Sequence, residues 1–265
     1  MDVTEVTADL IAEQEALDAI VAPLTAEQLA LPTPSPRWTV ADQLAHLTYF
    51  DRNAALAIED PEAFPATITA LLEAAGGGDE AVDEFVLGAW RRLPPAELVA
   101  AWREGRAQLA AAAATLANDT RIAWYGPSMG AKSFLTARLM EVWAHGQDIV
   151  DTVGADRPAT DRLRHIAQLG YITRKWSYVN RRLEPPEGDV AVVLDAPSGD
   201  VWTWGEDDEN RVSGPALDFC LVVTQRRHVS DTDLVVQGPV AADWIAIAQA
   251  FAGAPGGGRE PGQFR

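Results

Sequence analysis

One cysteine, Cys220, is all the thiol chemistry available in this chain of 265 residues. No intramolecular disulfide can form, which fits a reducing compartment. Cys220 lies in the apolar run LDFCLVV with no activating base beside it, so it reads as a buried, inert thiol. Basic residues are scarce too: 21 Lys and Arg stand against 39 Asp and Glu, a formal charge of −18. A protein that neutralises phosphates needs clustered cations. No basic run occurs here, so nucleic acid and anionic membranes are poor partners, and the acidity serves solubility. No stretch of about 18 uninterrupted apolar residues marks a membrane span. The opening MDVTEVTADL lacks the basic start and apolar stretch of a signal peptide. The expectation is a cytoplasmic protein.

What the chain does have is core material. Hydrophobic residues make up 48% of it, and its length suits one large or two modest domains. Residues 4 to 22 carry Val6, Leu10, Ile11, Leu17, Ile20 and Val21 at helical spacing. The proline-rich LPTPSPRW cannot continue a helix. Thr39 then reads as an N-cap with Asp42 three positions on, a capping box with Asp in place of Glu. The helix that follows, Val40 to about Ala57, turns Val40, Leu44 and Leu47 inward. Further helices are expected at 63–75, 79–93, 96–117 and from Ser133 to Val153, the last after the loop AWYGPSMG. After GADRPAT, helix resumes from Asp161 to about Leu183.

The character changes at EPPEGD. VAVVLD is apolar and β-branched, a buried-strand signature, and VWTWG follows the turn APSGD as its hairpin partner. Residues 215–226 read as helix, DLVVQG as a strand, 239–252 as a closing helix, and GAPGGGREPGQFR as an irregular tail. The expected architecture is an all-α N-terminal bundle over residues 1–185 and a small α+β domain over 186–265.

The stretch MEVWAHGQDIVD poses the functional question. On a wheel of 100° per residue, Arg138, Glu141, His145 and Asp148 share a sector of about 80°. Apolar positions and alanines border that stripe, so it reads either as a solvated face or as ligands awaiting a third. Buried charges cost several kcal/mol unless paired or metal-bound. A catalytic zinc site needs three protein ligands and an open position. The chain has four histidines. His46 lies on the inward-facing helix beside Leu44 and Leu47. It is either a core histidine or the missing partner of Glu141 and His145, since bundle cores hold such sites on facing helices. Asp42, one turn earlier, is either the second acceptor for the His46 ring or only part of the cap. His165, flanked by charges in DRLRHIAQ, reads as a surface residue. His228, in QRRHVSD, is expected at a helix end, where a cation suits the dipole.

WTVADQLAHL followed by RLMEVWAHGQDIVD resembles the DinB-like superfamily of metal-binding four-helix bundles, and within it the mycothiol-dependent maleylpyruvate isomerase group of actinobacteria. That resemblance covers roughly residues 5–185. The remainder, with VxLxxPxGxxWxW, GPALDFCLVVTQRR and the G-P-x-x-x-x-W segment at Gly238 to Trp244, resembles the group's small sterol-carrier-protein-like domain. The resemblance implies a divalent ion, Zn²⁺ in the first instance, held by His46, Glu141 and His145; Asp42 and Asp148, on the same helices, are the candidate supporting residues. It also implies a low-molecular-weight thiol cofactor, mycothiol. A thiolate is the nucleophile, and a neighbouring cation lowers the thiol's pKa. In the isomerase, thiolate addition to an alkene permits rotation and then elimination. The group further uses an arginine of the C-terminal domain for a carboxylate. Arg226 or Arg227 falls at that place, although cations complementing a helix C-terminus explain both equally well. The 60–95 stretch looks like an insertion or lid.

Three functions follow. The leading one is a metal-dependent enzyme acting on a small organic electrophile with a thiol, by isomerisation or S-transfer. The others are a metal- or ligand-binding protein without turnover, and a hydrolase using metal-bound hydroxide. A homodimer is compatible with such bundles, but no stretch identifies an interface. Of the nine tryptophans, most are expected to fill the core, with one or two walling a pocket.

Overall fold

The structure is a computed structural model and describes residues 2–264. It divides into two compact units, Met1–Asp156 and Arg157–Arg265. The first contains α1 (Val3–Val21), a short α2 (Ala26–Leu29), α3 (Val40–Glu59), α4 (Phe64–Ala75), α5 (Asp79–Arg91), α6 (Pro95–Ala113), the two-residue strands β1 (Arg121–Ile122) and β2 (Met129–Gly130), and α7 (Ala131–Val153).

Four of these helices form the expected bundle: α3 packs on α6 and α7, and α1 packs on α7 and α6. Its core is made of residues such as Leu10, Leu17, Leu44, Leu47, Trp102, Leu109, Leu135 and Leu139, all fully or almost fully buried. Each aliphatic side chain so buried contributes roughly 1.5–3 kcal/mol of transfer free energy. The helix ends follow from local chemistry. Asp2 and Glu5 form a capping box on α1, and Thr39 and Asp42 form the expected one on α3. Pro94 and Pro95 open α6, where a missing N–H does no harm. α7 stops at Gly154, whose φ of 66° is left-handed and suits glycine at a helix C-terminus. α4 and α5, the segment with the look of an insertion, pack on each other and on α3.

The second unit holds α8 (Leu163–Ile172), α9 (Arg174–Val179), β3 (Ala191–Asp195), β4 (Val201–Trp204), β5 (Arg211–Pro215), α10 (Ala216–Val223), a single 3₁₀ turn (Val229–Asp231), β6 (Val235–Gln237) and α11 (Pro239–Ile245). Its sheet has the order β4-β3-β5-β6. β3 and β4 are the expected antiparallel hairpin, β5 lies parallel to β3, and β6 is antiparallel to β5.

Several boundaries differ from the expectations. The units part at Asp156/Arg157, not at 185/186. The change from helical to strand-like sequence does not mark the division, because α8 packs on α10 and β4 of the second unit. Gly170 of α8 sits so close to α10 that a Cβ there would lie 2.8 Å from a methyl of Val223. The helix expected over 161–183 is two helices meeting at Thr173. β5 is a strand that local pattern did not show: RVSGP ends in Gly-Pro, and its pairing depends on β3, far away in sequence. The loop AWYGPSMG contributes its last two residues to the small β1–β2 pair. α6 and α11 end earlier than expected. Among the described residues, no helix is long and apolar enough to cross a membrane.

Candidate metal centre

α3 and α7 lie against each other, and their contact brings together residues 95 positions apart. His46 Nε2 lies 3.3 Å from Oε2 of Glu141, and His145 Nε2 lies 3.1 Å from the same oxygen. Their ring centroids are 4.2 Å apart. His46, Glu141 and His145 each offer one ligand atom within 4.8 Å of the others. Among the described residues, this is the cluster of His, Cys, Asp and Glu with that property. All three side chains are mostly buried, with exposures of 15%, 25% and 12%.

The electrostatics suit a cation. Burial, followed by the charge of His145, presses the His46 ring from its ordinary 6.5 down to about 3, so its nitrogen stays neutral near pH 7. Burial alone pushes the Glu141 carboxyl up, but contact with His145 and His46 outweighs it and holds the group well below the usual carboxylate range. Two imidazole nitrogens and an ionised carboxylate oxygen form a donor set that fits a divalent ion of the zinc type and leaves coordination positions open.

Aromatic rings line the cluster. Trp38 lies 5.1 Å from His46 and stacks on His145 at 5.8 Å, and Phe50 lies 4.6 Å from His46. Trp38 is thus the tryptophan that walls the site. Behind them, Arg138 forms a buried ion pair with Asp51 at 2.9 Å, and Gln14 donates to the other Asp51 oxygen at 3.2 Å. Arg138, on the same stripe as Glu141, is therefore buried and paired rather than solvated.

The supporting residues require one correction. Asp42 does not serve the His46 ring. Its Oδ2 accepts from the Thr39 backbone and hydroxyl, and its Oδ1 accepts from Arg91 at 2.7 Å. The cap is its role. The imidazole acceptor is its neighbour Gln43, whose Oε1 lies 2.6 Å from Nδ1 of His145. The available signal was a polar residue on the inward face of α3, which had to find a partner. Asp148 is fully buried and accepts from Ser35 at 3.0 Å, tying the proline-rich turn to α7 about one turn beyond His145.

The remaining candidates lie in the second unit. Arg226 and Arg227 follow α10, where Arg226 donates to the Thr224 carbonyl and Arg227 to that of Arg226, both at 2.7 Å. The Arg227 guanidinium also lies over the Phe264 ring. His165 is buried rather than a surface residue, because α8 turns it inward. His228 does stand at a helix end, but it is the N-terminal end of the 3₁₀ turn. There its Nδ1 accepts from the Ser230 N–H, so it caps that turn rather than a helix C-terminus. Cys220 is buried against the Leu163 carbonyl, and burial raises its pKa well above the ordinary value, as expected of an inert thiol.

Fold and site together define a DinB-like four-helix bundle with a His/Glu cluster between two of its helices, joined to a small sheet-containing unit. Comparison with known proteins narrows the class. The family model of the mycothiol maleylpyruvate isomerase N-terminal domain matches residues 10–150, and the chain belongs to that family. It is 46% identical over 254 residues to an uncharacterized protein of Mycobacterium tuberculosis, found in strains CDC 1551 / Oshkosh and ATCC 25618 / H37Rv, covering 95% of this chain and 97% of that protein. Two crystal structures of the mycothiol-dependent maleylpyruvate isomerase, one of them of a mutant, share the fold with TM-scores of 0.54 and 0.56 at 18% identity, covering 86% of this chain and 90% of theirs.

Proposed function

We propose that this protein is a cytoplasmic enzyme that uses a divalent metal ion, zinc in the first instance, and a low-molecular-weight thiol such as mycothiol to act on a small organic electrophile by isomerisation or S-transfer. One observation carries the reading: two imidazole nitrogens converge on a single carboxylate oxygen at 3.1 and 3.3 Å, in a chain of a family named for a mycothiol-dependent isomerase. His46, Glu141 and His145 would hold the ion. When bound, such an ion lowers the pKa of a thiol beside it and so raises the thiolate fraction at neutral pH.

The chain's own groups do the rest. The neutral His46 and the ionised Glu141 present lone pairs without first releasing protons near pH 7. Trp38 and Phe50 flank the rings and limit water at the cluster, which strengthens its electrostatics. The Arg138–Asp51 pair fixes the polar face of α7 behind Glu141. Arg226 and Arg227 are the proposed carboxylate-binding groups of the second unit.

The test begins with metal analysis of the purified protein and continues with mass spectrometry of reactions containing mycothiol and a panel of small electrophiles. The expected result is about one divalent ion per chain and a thiol-dependent product, either an isomer or an S-conjugate. Product formed equally without thiol would assign a hydrolase. Metal without any product would assign a binding protein, and absence of metal would remove the reading altogether.

A further inference from the structure

His145 has a second contact, made by the ring nitrogen that does not face Glu141. Its Nδ1 lies 2.6 Å from Gln43 Oε1. Gln43 is fully buried, and its amide nitrogen donates to Thr33 Oγ1 at 2.9 Å. The Thr33 hydroxyl donates in turn to the main-chain carbonyl of Trp38 at 2.9 Å. That carbonyl has no proton to give. Thr33 therefore uses its one hydroxyl proton on Trp38 and can only accept from Gln43. The amide must then turn its NH₂ toward Thr33 and its oxygen toward His145, and an amide oxygen accepts only. The proton in the short contact belongs to Nδ1 of His145.

We propose that Gln43, oriented by Thr33, is a positioning residue that keeps a proton on Nδ1 of His145 and so reserves Nε2 as the ligating nitrogen. A neutral imidazole can carry its proton on either nitrogen, and the bond made by one nitrogen decides what the other can do. Any proton on Nε2 in the metal-free protein bridges to Glu141 and is the one a cation displaces. The proton on Nδ1 stays.

The proline-rich turn supplies the anchor. Thr33 N donates to the Trp38 carbonyl at 2.8 Å and Val40 N to the Leu31 carbonyl at 3.0 Å, closing LPTPSPRW into a tight loop just before α3. The loop that ends one helix and starts the next thereby also sets a proton position, through a chain running from the Trp38 carbonyl to Thr33, Gln43 and His145. The role assigned to Nε2 rests on the metal reading above; the proton on Nδ1 does not.

The experiment has two arms. The first is ¹⁵N spectroscopy of the histidine rings in metal-free protein at pH 8, comparing wild type with Gln43→Leu, Gln43→Glu, Thr33→Val and Thr33→Ser. The second is Zn²⁺ affinity of the same proteins by competition with a chromophoric chelator. Wild type should show a protonated Nδ1 on His145, and Gln43→Leu should lose that signature and bind Zn²⁺ roughly 10–100-fold more weakly. Gln43→Glu, which keeps an acceptor, and Thr33→Ser, which keeps the hydroxyl, should retain both properties. Thr33→Val should weaken them, and this half-buried position decides the matter if Gln43→Leu does not fold. A bare Nδ1 in wild type overturns the relay while leaving a metal-binding cluster intact, as does wild-type affinity in Gln43→Leu. If wild type binds no Zn²⁺, the metal reading fails and the first arm still decides where the proton sits.

Discussion

Asp83, on α5, accepts a hydrogen bond from the indole Nε1 of Trp38 at 3.0 Å, and its second oxygen accepts from Arg37 at 2.9 Å. Asp83 is itself buried. The segment that looked like an insertion therefore holds the ring that flanks both imidazoles of the cluster. At the far end of α5, Arg91 is bonded to Asp42 on α3. The helix is fastened at both ends to the residues around the site.

Asp83→Ala leaves the Trp38 N–H and the Arg37 guanidinium without this acceptor. It should destabilise the fold by about 1–3 kcal/mol in urea unfolding, the range for a buried polar group deprived of its partner. Asp83→Asn keeps an oxygen for the indole and should lose less. Equal midpoints for wild type and Asp83→Ala would show that the contact carries no weight.

Breaking the Arg138–Asp51 pair from one side should be worse. Arg138→Met strands a buried carboxylate, an effect of about 3–5 kcal/mol. Adding Asp51→Leu should recover much of that loss, because the double variant leaves no unpaired charge. A double-mutant cycle by chemical denaturation measures the coupling, and simple additivity would count against it.

Acid should loosen the metal-free protein through His46. Its pKa falls from 6.5 in the unfolded chain to about 3 in the folded one, so the unfolded state binds the extra proton between these values. Stability then rises with pH across that window and is lost as pH falls from 6.5 toward 3. Glu141, depressed by folding, works in the same direction at lower pH. His46 alone should remove on the order of 1–2 kcal/mol between pH 6.5 and pH 5. Urea titrations of metal-free wild type and His46→Gln should diverge in slope by that amount, and parallel profiles would refute the assignment.

His145→Ala removes one nitrogen from the cluster while leaving a small helix-forming residue on α7. The variant should lose its bound metal and keep its helical circular dichroism. Full metal occupancy by elemental analysis would mean that the ion sits elsewhere.

Gly170→Ala tests the packing that assigns α8 to the second unit. The new Cβ would meet Val223 at 2.8 Å and Phe219 at 3.0 Å. Overpacking of this kind costs about 1–3 kcal/mol. A thermal midpoint unchanged from wild type would mean that the two helices part easily.

Much of this architecture was legible because it is written in short range. The capping box at Thr39 and Asp42, the prolines before α6, and the alternation of apolar residues along α1 and α3 all act within a few positions of themselves. The hairpin of β3 and β4 was visible for the same reason. β5 was not, since RVSGP becomes a strand only by lying parallel to β3. His165 was obscured by charged sequence neighbours, although helix geometry turns it inward. Asp42 was the expected partner of the His46 ring, and the acceptor found instead, Gln43, serves the His145 ring. One step along α3 is a rotation of about 100°, enough to exchange the cap and the Arg91 pair of Asp42 for a place beside His145.

The sequence by itself determined the helices, their caps, and the placing of Glu141 and His145 on one face of α7, because each of these depends on spacing along a single element. The family resemblance then pointed to His46. Only the tertiary structure decided that His46 and His145 meet at one oxygen of Glu141, that Gln43 and Thr33 stand behind the second ring, and that Asp83 holds Trp38 against them. Apart from the His145–Glu141 pair within α7, those contacts span from 10 to 102 positions of chain, and tertiary packing, above all that of α3 on α7, sets their distances.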